Sequence, residues 1–315
     1  MIKLDVFYEL GNQLFMYAYA RALSLEYDEP IVINTKTAFA LIARIRFFPN
    51  AVKCHYRLNY FNIIPCKMQN PIIGFIQSIP PSIHMLIHRW NQIDEKKTGD
   101  LYLKMTAKGK HYFTDTAFAR YYPHQRSDKP KKHLHGVWVS EKSFAHFAEV
   151  IRKELRVITP LSDNNRDLIN EMRDCNSIAI HFRKGEFASI KRFDIDVNIC
   201  SEDYYRRGMR YIAEHVSNPI FYIFSNDIMW VKKNISFEYP VRYVDYNNAA
   251  HEDLRLMYNC KHFINANSTF SWWASYLSDN PAKIVIVPSY WNKRYPDKYD
   301  VYRKDMVLLN PDSSQ

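Results

Sequence analysis

Glycine is scarce in this chain, with 7 among 315 residues. No G-x-x-x-x-G-K-[ST] phosphate loop occurs, and no G-x-G-x-x-G follows a strand-like run. The first absence excludes a P-loop enzyme, and the second weakens a dinucleotide-binding reading. The cysteines are few and odd in number: Cys54, Cys66, Cys175, Cys200 and Cys260. They are widely spaced and form no C-x-x-C pair, which argues against a zinc site and a disulfide framework and predicts a reducing compartment. Long apolar runs are also missing. The most apolar region, Pro71 to Ile87, is interrupted by Gly74, Gln77, Ser78, Pro80, Pro81 and His84. It falls short of the roughly 18 uninterrupted apolar residues of a spanning helix. Met1 to Phe7 has no basic stretch leading into an apolar one, so the expectation is a cytoplasmic protein, at most peripheral at the inner membrane.

What the chain does have is core material. Hydrophobic residues make up 47% and aromatics 15%. Such a chain is globular, and its length favours two domains. It carries a formal charge of +10, which favours anionic partners. The excess concentrates in Arg120 to His135 and in Lys293 to Lys304. Each reads as a solvated basic loop or as a segment drawn to an anionic membrane leaflet. A basic nucleic-acid-binding protein is a remote alternative, because no helix-turn-helix, RNP or zinc-finger pattern is present.

Leu4 to Tyr8 reads as a strand, followed by Gly11 and a helix from Asn12 to Leu23, the opening of a βα unit. Pro30 to Asn34 is the next strand. Ala51 to Lys110 has little periodicity and reads only as helices and loops. Gly136 to Val139 is predicted as a strand and Glu141 to Leu155 as a helix. Pro160 to Asp163 is the expected boundary, giving domains 1–160 and 161–315, with a last helix able to pack back on the first. From Ser177 onward, strands and helices alternate about every 20 residues, which argues for a parallel, doubly wound sheet.

Two strand ends carry chemistry. The run Ser177 to Ile180 leads into His181-Phe182-Arg183-Lys184-Gly185-Glu186. Ligands of open α/β sheets bind just beyond the strands' carboxyl ends, where Arg183 and Lys184 would clamp an anion. The second is Asn267-Ser268-Thr269-Phe270-Ser271, which opens a helix. Its free N–H groups and hydroxyls suit a phosphate. Trp272 and Trp273 read as core. Asp194-Ile195-Asp196 has D-x-D spacing but no neighbouring ligands, so no metal site is expected.

Together these blocks resemble glycosyltransferase family 11, the α-1,2-fucosyltransferases. Leu10 to Ala18 is similar to the family's G-G-L-G-N-Q-x-F-x-Y-A, and His181 to Glu186 to its H-x-R-R-G-D. Phe224-Ser225-Asn226-Asp227 with Trp230 is similar to F-S-D-D-x-x-W. His251-Glu252-Asp253-Leu254 and Ser268 to Ala274 match E-D-L and N-S-T-F-S-W-W-A. The resemblance covers nearly the whole chain. It implies a GT-B architecture of two Rossmann-like domains facing each other across a cleft. It also implies GDP-L-fucose as donor, inversion at the anomeric carbon, no cofactor and no metal.

The implied acceptor is a galactose-terminated oligosaccharide or lipid-linked glycan. A different GDP-sugar or linkage is the alternative. Residue by residue, Arg183 would bind the β-phosphate, with Lys184 beside it. His181 and Asp253 would read guanine or ribose, and Ser268 to Ser271 with Asn267 would hold the pyrophosphate. Asp227 falls in a further matching block. Asn12 would face the reacting sugar, and Glu186 is the candidate base. Tyr8-Glu9 stand where the family has paired glycines, so the first turn is expected to be built differently.

Overall fold

The computed structural model describes residues 1–39, 55–90, 95–112, 120–183, 199–245, 249–293 and 300–312. The chain divides into two compact units, Met1–Leu155 and Arg156–Gln315.

The first unit opens with strand β1 (Ile2–Asp5), helix α1 (Leu10–Tyr27) and strand β2 (Ile31–Asn34). Strand β3 (Lys67–Met68), helix α2 (Pro71–Trp90), helix α3 (Glu95–Thr106) and strand β4 (Lys110–Tyr112) follow, then β5 (Lys132–His135) and helix α4 (Ala148–Glu154). The sheet order is β3-β2-β1-β5-β4, and every pairing is parallel. Strand β1 is central and all four of its residues are buried, as expected where both faces are covered.

Two expectations are corrected here. The predicted strand Gly136 to Val139 is instead β5, which ends at His135. Lys132 and His135 are fully buried polar residues, so no apolar run marked the strand. The predicted helix Glu141 to Leu155 is broken into short turns at Glu141–Ser143 and Ala145–Phe147 before α4 begins. Phe144 leaves the helical conformation and buries its ring 6.2 Å from that of Phe15.

Beyond Tyr8 the chain enters α1 by an unusual turn. Tyr8 has φ +64°, the left-handed region that glycine favours. The turn that the family builds with paired glycines is thus made here by a tyrosine in a conformation glycine favours. Gln13 secures this turn: its amide nitrogen donates to the Tyr8 and His55 carbonyls, each at 2.8 Å. Its oxygen accepts from the Arg57 amide at 3.0 Å.

The second unit runs through helix α5 (Asp163–Asp174), β6 (Asn176–Phe182), α6 (Glu202–His215), β7 (Pro219–Ser225), α7 (Ile228–Asn234) and β8 (Val241–Tyr243). It continues with α8 (Ala250–Tyr258), β9 (His262–Ile264), α9 (Thr269–Leu277), β10 (Val285–Pro288) and β11 (Met306–Leu309). The sheet is parallel in the order β11-β10-β9-β6-β7-β8. The last described element is therefore a strand in this sheet, where a final helix was expected. Ser162 and Ser201 cap α5 and α6 through hydrogen bonds from Asn165 and Tyr204. Gly208 lets α6 approach β9 closely, since a Cβ there would meet Ile264 at 3.1 Å.

Candidate active site

Strand β6 is the first of its sheet, with β7 on one side and β9 on the other. The winding direction reverses between β6 and β9, and the crevice outside the carboxyl ends of two such strands is where open α/β sheets bind ligands. Ile180 pairs with Ile264, so the ends of β6 and β9 lie side by side, and the His181 ring beyond β6 meets the Phe270 ring in the first turn of α9. The two anion seats read from the sequence therefore sit at adjacent strand ends.

His181 is 4% exposed and its ring lies 5.5 Å from that of Phe270. Burial, helped by the Arg183 guanidinium, pushes its imidazole down to about 3. The ring is neutral at pH 7, and its Nδ1 has no hydrogen-bond partner among the described residues. A neutral ring with an open nitrogen can bond a ligand without adding charge. The Tyr205 hydroxyl donates to the His181 carbonyl at 3.1 Å and steadies the strand end. Arg183 is half-buried at that end.

Opposite, Ser268 caps α9, its hydroxyl accepting from the Phe270 amide at 3.3 Å. Asn267, Ser268, Thr269 and Phe270 are all half-buried. Ser271 is fully buried, and its hydroxyl donates to the carbonyls of Ala266 and Ser268. That turns it toward the backbone of the turn itself. The Asn267 amide donates to the Trp291 carbonyl at 3.3 Å. Behind the turn, Trp272 and Trp273 are core, and the Trp272 indole donates to the Val301 carbonyl at 2.7 Å.

Asp253 lies in the first turn of α8, whose start faces the carboxyl-end side of the sheet. Asp227 is exposed and caps α7 by accepting from the Trp230 amide at 3.0 Å. Asn12 sits half-buried in the first turn of α1, in the other unit. Lys184, Gly185, Glu186, Asp194 and Asp196 lie outside the described residues. Among the described residues, no group of three or more His, Cys, Asp or Glu is disposed to hold a metal ion.

One cluster was not read from the sequence. Asp5, at the end of β1, is fully buried and accepts from His133 Nε2 at 2.8 Å and His135 Nδ1 at 2.7 Å. Asn34 Nδ2 adds a third bond at 2.7 Å. Burial alone would raise the Asp5 carboxyl, but hydrogen bonds and charge from the two histidines hold it well below the usual carboxylate range. The cluster occupies the carboxyl ends of β1, β2 and β5, the ligand side of the first sheet. The only signal was a His-x-His at one strand end and a lone Asp at another.

A family model described as Glycosyl transferase family 11 matches residues 1–310. The chain belongs to glycosyl transferase family 11. An Escherichia coli alpha-1,2-colitosyltransferase is 34% identical over 166 residues, covering 50% of this chain and 56% of that protein. The E. coli O-antigen biosynthesis glycosyltransferase WbnK is 30% identical over 165 residues, covering 47% and 54%. The chain thus spans about half the length of the curated relatives it matches. A crystal structure of POFUT1 in complex with GDP is 11% identical, covers 91% of this chain and 97% of that one, and superposes with a TM-score of 0.49. For a family 11 chain, the crevice between β6 and β9 is formed by two of the blocks that carry the resemblance. Two units with parallel Rossmann-like sheets make the fold α/β of the GT-B type.

Proposed function

We propose that the chain is an inverting glycosyltransferase that moves L-fucose from GDP-L-fucose to the 2-hydroxyl of a terminal galactose. The acceptor would be a surface glycan or its lipid-linked precursor. The observation that carries this reading is the meeting of His181 with the start of α9 at the adjacent ends of β6 and β9, where the His181 and Phe270 rings lie 5.5 Å apart.

Breaking a sugar–nucleotide bond leaves negative charge on the departing GDP. Arg183 offers a planar fork to the β-phosphate. The partial positive charge at the α9 start would stabilise the same charge, most strongly in the transition state. Neutral His181 and the Asp253 carboxylate would read ribose or guanine. Asn267, Ser268, Thr269 and Phe270 would line the pyrophosphate, with Lys184 and Ser271 as the remaining candidates. Asn12 is the catalytic candidate of the first unit, and the acceptor hydroxyl would attack the anomeric carbon on the side opposite GDP. Glu186 is the candidate to take that hydroxyl's proton.

Thermal stabilisation by GDP, against UDP and ADP with EDTA present, tests the donor class without knowledge of the acceptor. A GDP-selective shift that Arg183→Ala abolishes supports it; equal shifts with all three nucleotides reject it.

A second reading is transfer of colitose. It rests on the 34% identity to an enzyme named for α-1,2 transfer of that sugar. Colitose is fucose without its 3-hydroxyl, so competition between the two GDP-sugars decides between the readings. A site that hydrogen-bonds the 3-hydroxyl rejects the deoxy sugar strongly, whereas an apolar one does not.

A further inference from the structure

Helix α2 is amphipathic in the wrong sense for a water-facing helix. Its inward side carries Gly74, Ser78, Pro81 and Ser82, all buried. The Ser78 hydroxyl accepts from the Ala38 amide at 2.8 Å, and the Ser82 hydroxyl donates to the Ser78 carbonyl at 2.6 Å. Its outward side carries Ile72, Ile76, Pro80 and Ile83, one stripe at i, i+4, i+8 and i+11. Ile72 is 72% exposed, Ile76 58% and Ile83 46%, with Ile73 at 46% beside them. Met68, on the neighbouring edge strand β3, adds a further 49%-exposed side chain. A helix facing only water would place serines outward and isoleucines inward. A contiguous exposed apolar patch marks an interaction surface.

The charge around the stripe selects the partner. Residues 62–84 hold no Asp or Glu, and neither do residues 31–39. The cations beside the helix start, Lys36 and Lys67, are both exposed. Lys36 is tied to this end through Asn34, whose side chain bonds the Lys36 amide and the Gly74 carbonyl. A second copy of the chain docked on this face would bring like charges together. Among the described residues no helix is long and apolar enough to cross a membrane.

We infer that α2 lies in the surface of an anionic lipid bilayer, its isoleucines entering the headgroup–acyl boundary and Lys36 and Lys67 meeting the headgroups. This surface is independent of the donor crevice, so it stands or falls apart from the activity proposed above.

Flotation of the full chain with phosphatidylcholine vesicles, with and without about one third phosphatidylglycerol, tests it. The wild type floats with the anionic vesicles and is released by salt. Ile76→Ser weakens partitioning about tenfold, and Ile72→Ser/Ile76→Ser abolishes it. Lys36→Glu/Lys67→Glu abolishes it on the same vesicles. All variants keep the melting temperature and nucleotide response of the wild type, since the substituted side chains are exposed. Binding that survives both isoleucine substitutions overturns the inference, as does no binding at all. A concentration-dependent dimer that Ile76→Ser dissolves overturns it in favour of self-association.

Discussion

The Asp5 carboxylate lies 2.7 Å from His135 Nδ1, inside the first unit, with neither side chain exposed. The same oxygen also accepts from His133, and the other from Asn34. A buried carboxylate persists only when such partners replace its water. Asp5→Ala leaves two imidazoles and an amide without their acceptor, and we expect a loss of about 3 kcal/mol in a urea titration. A loss below about 1 kcal/mol would show that the cluster does not hold the strand ends together.

Gly74 touches this cluster from α2. A Cβ at Gly74 would stand 2.2 Å from Asn34 Oδ1, so Gly74→Ala displaces the amide that holds Asp5. Alanine otherwise favours a helix by about 1 kcal/mol. Net destabilisation by Gly74→Ala, despite that gain, is the expected result. Stabilisation in the same titration would mean that Asn34 moves without penalty.

Tyr8 permits an ordered prediction. Its left-handed backbone is tolerated by glycine and strained for a β-branched residue. Tyr8→Gly gives up ring contacts to Phe7 and Phe39 but releases strain. Tyr8→Val gives up the contacts and keeps the strain. Melting curves should rank Tyr8→Val below Tyr8→Gly by about 1 kcal/mol or more; the reverse order would refute the turn described.

His111, His181 and Asp5 are among the buried groups that shape the pH dependence of stability, and His135 and His262 act in the same direction as the other two histidines. Burial holds the imidazoles of His111 and His181 down to about 3 each, against 6.5 in the unfolded chain. Between those values the unfolded chain binds more protons, so stability falls as pH drops below 6.5 toward 3 and is unaffected above. Asp5, held below 3.8, adds a further loss as pH falls through that value. Urea midpoints measured against pH should decline over this window, less steeply in His111→Gln. An identical slope in that variant would remove His111 from the account.

Much of the second unit was legible because its local signals agree with its packing. Apolar runs mark β6 and β7, and Ser162, Ser201, Asp227 and Ser268 sit at helix starts as caps. Beyond β2, the first unit hid strands behind buried polarity. Lys132 is 1% exposed, its ammonium bonded to Glu29 and lying 4.0 Å over the Tyr27 ring, yet in sequence it reads as part of a basic loop. His133 and His135 read the same way, and α2 escaped because Pro80 and Pro81 interrupt it. The two halves of the candidate site were visible as the ends of neighbouring strands, but the pairing of Ile180 with Ile264 that sets them side by side was not. Asp5 and its histidines are 128 and 130 residues apart, beyond any local pattern.

Arginine at the end of β6 permits a sharper test than its removal. Arg183→Lys keeps the charge but loses the two-pronged contact, so we expect GDP to bind about tenfold more weakly with the melting temperature of the free protein unchanged. Calorimetric titration would measure this. Equal affinity would mean that Arg183 acts as a point charge.

The pairing of β6 with β9 has a consequence for how the protein matures. His181 and Phe270 are remote in sequence and meet only after the intervening strands and helices have been laid down. The crevice therefore does not exist in any partly folded second unit built from local contacts. A nucleotide that fits it can recognise only finished molecules and, by mass action, withdraws them from unfolding. The donor substrate would thus act as a late quality check, sparing completed enzyme while incomplete chains remain open to proteolysis.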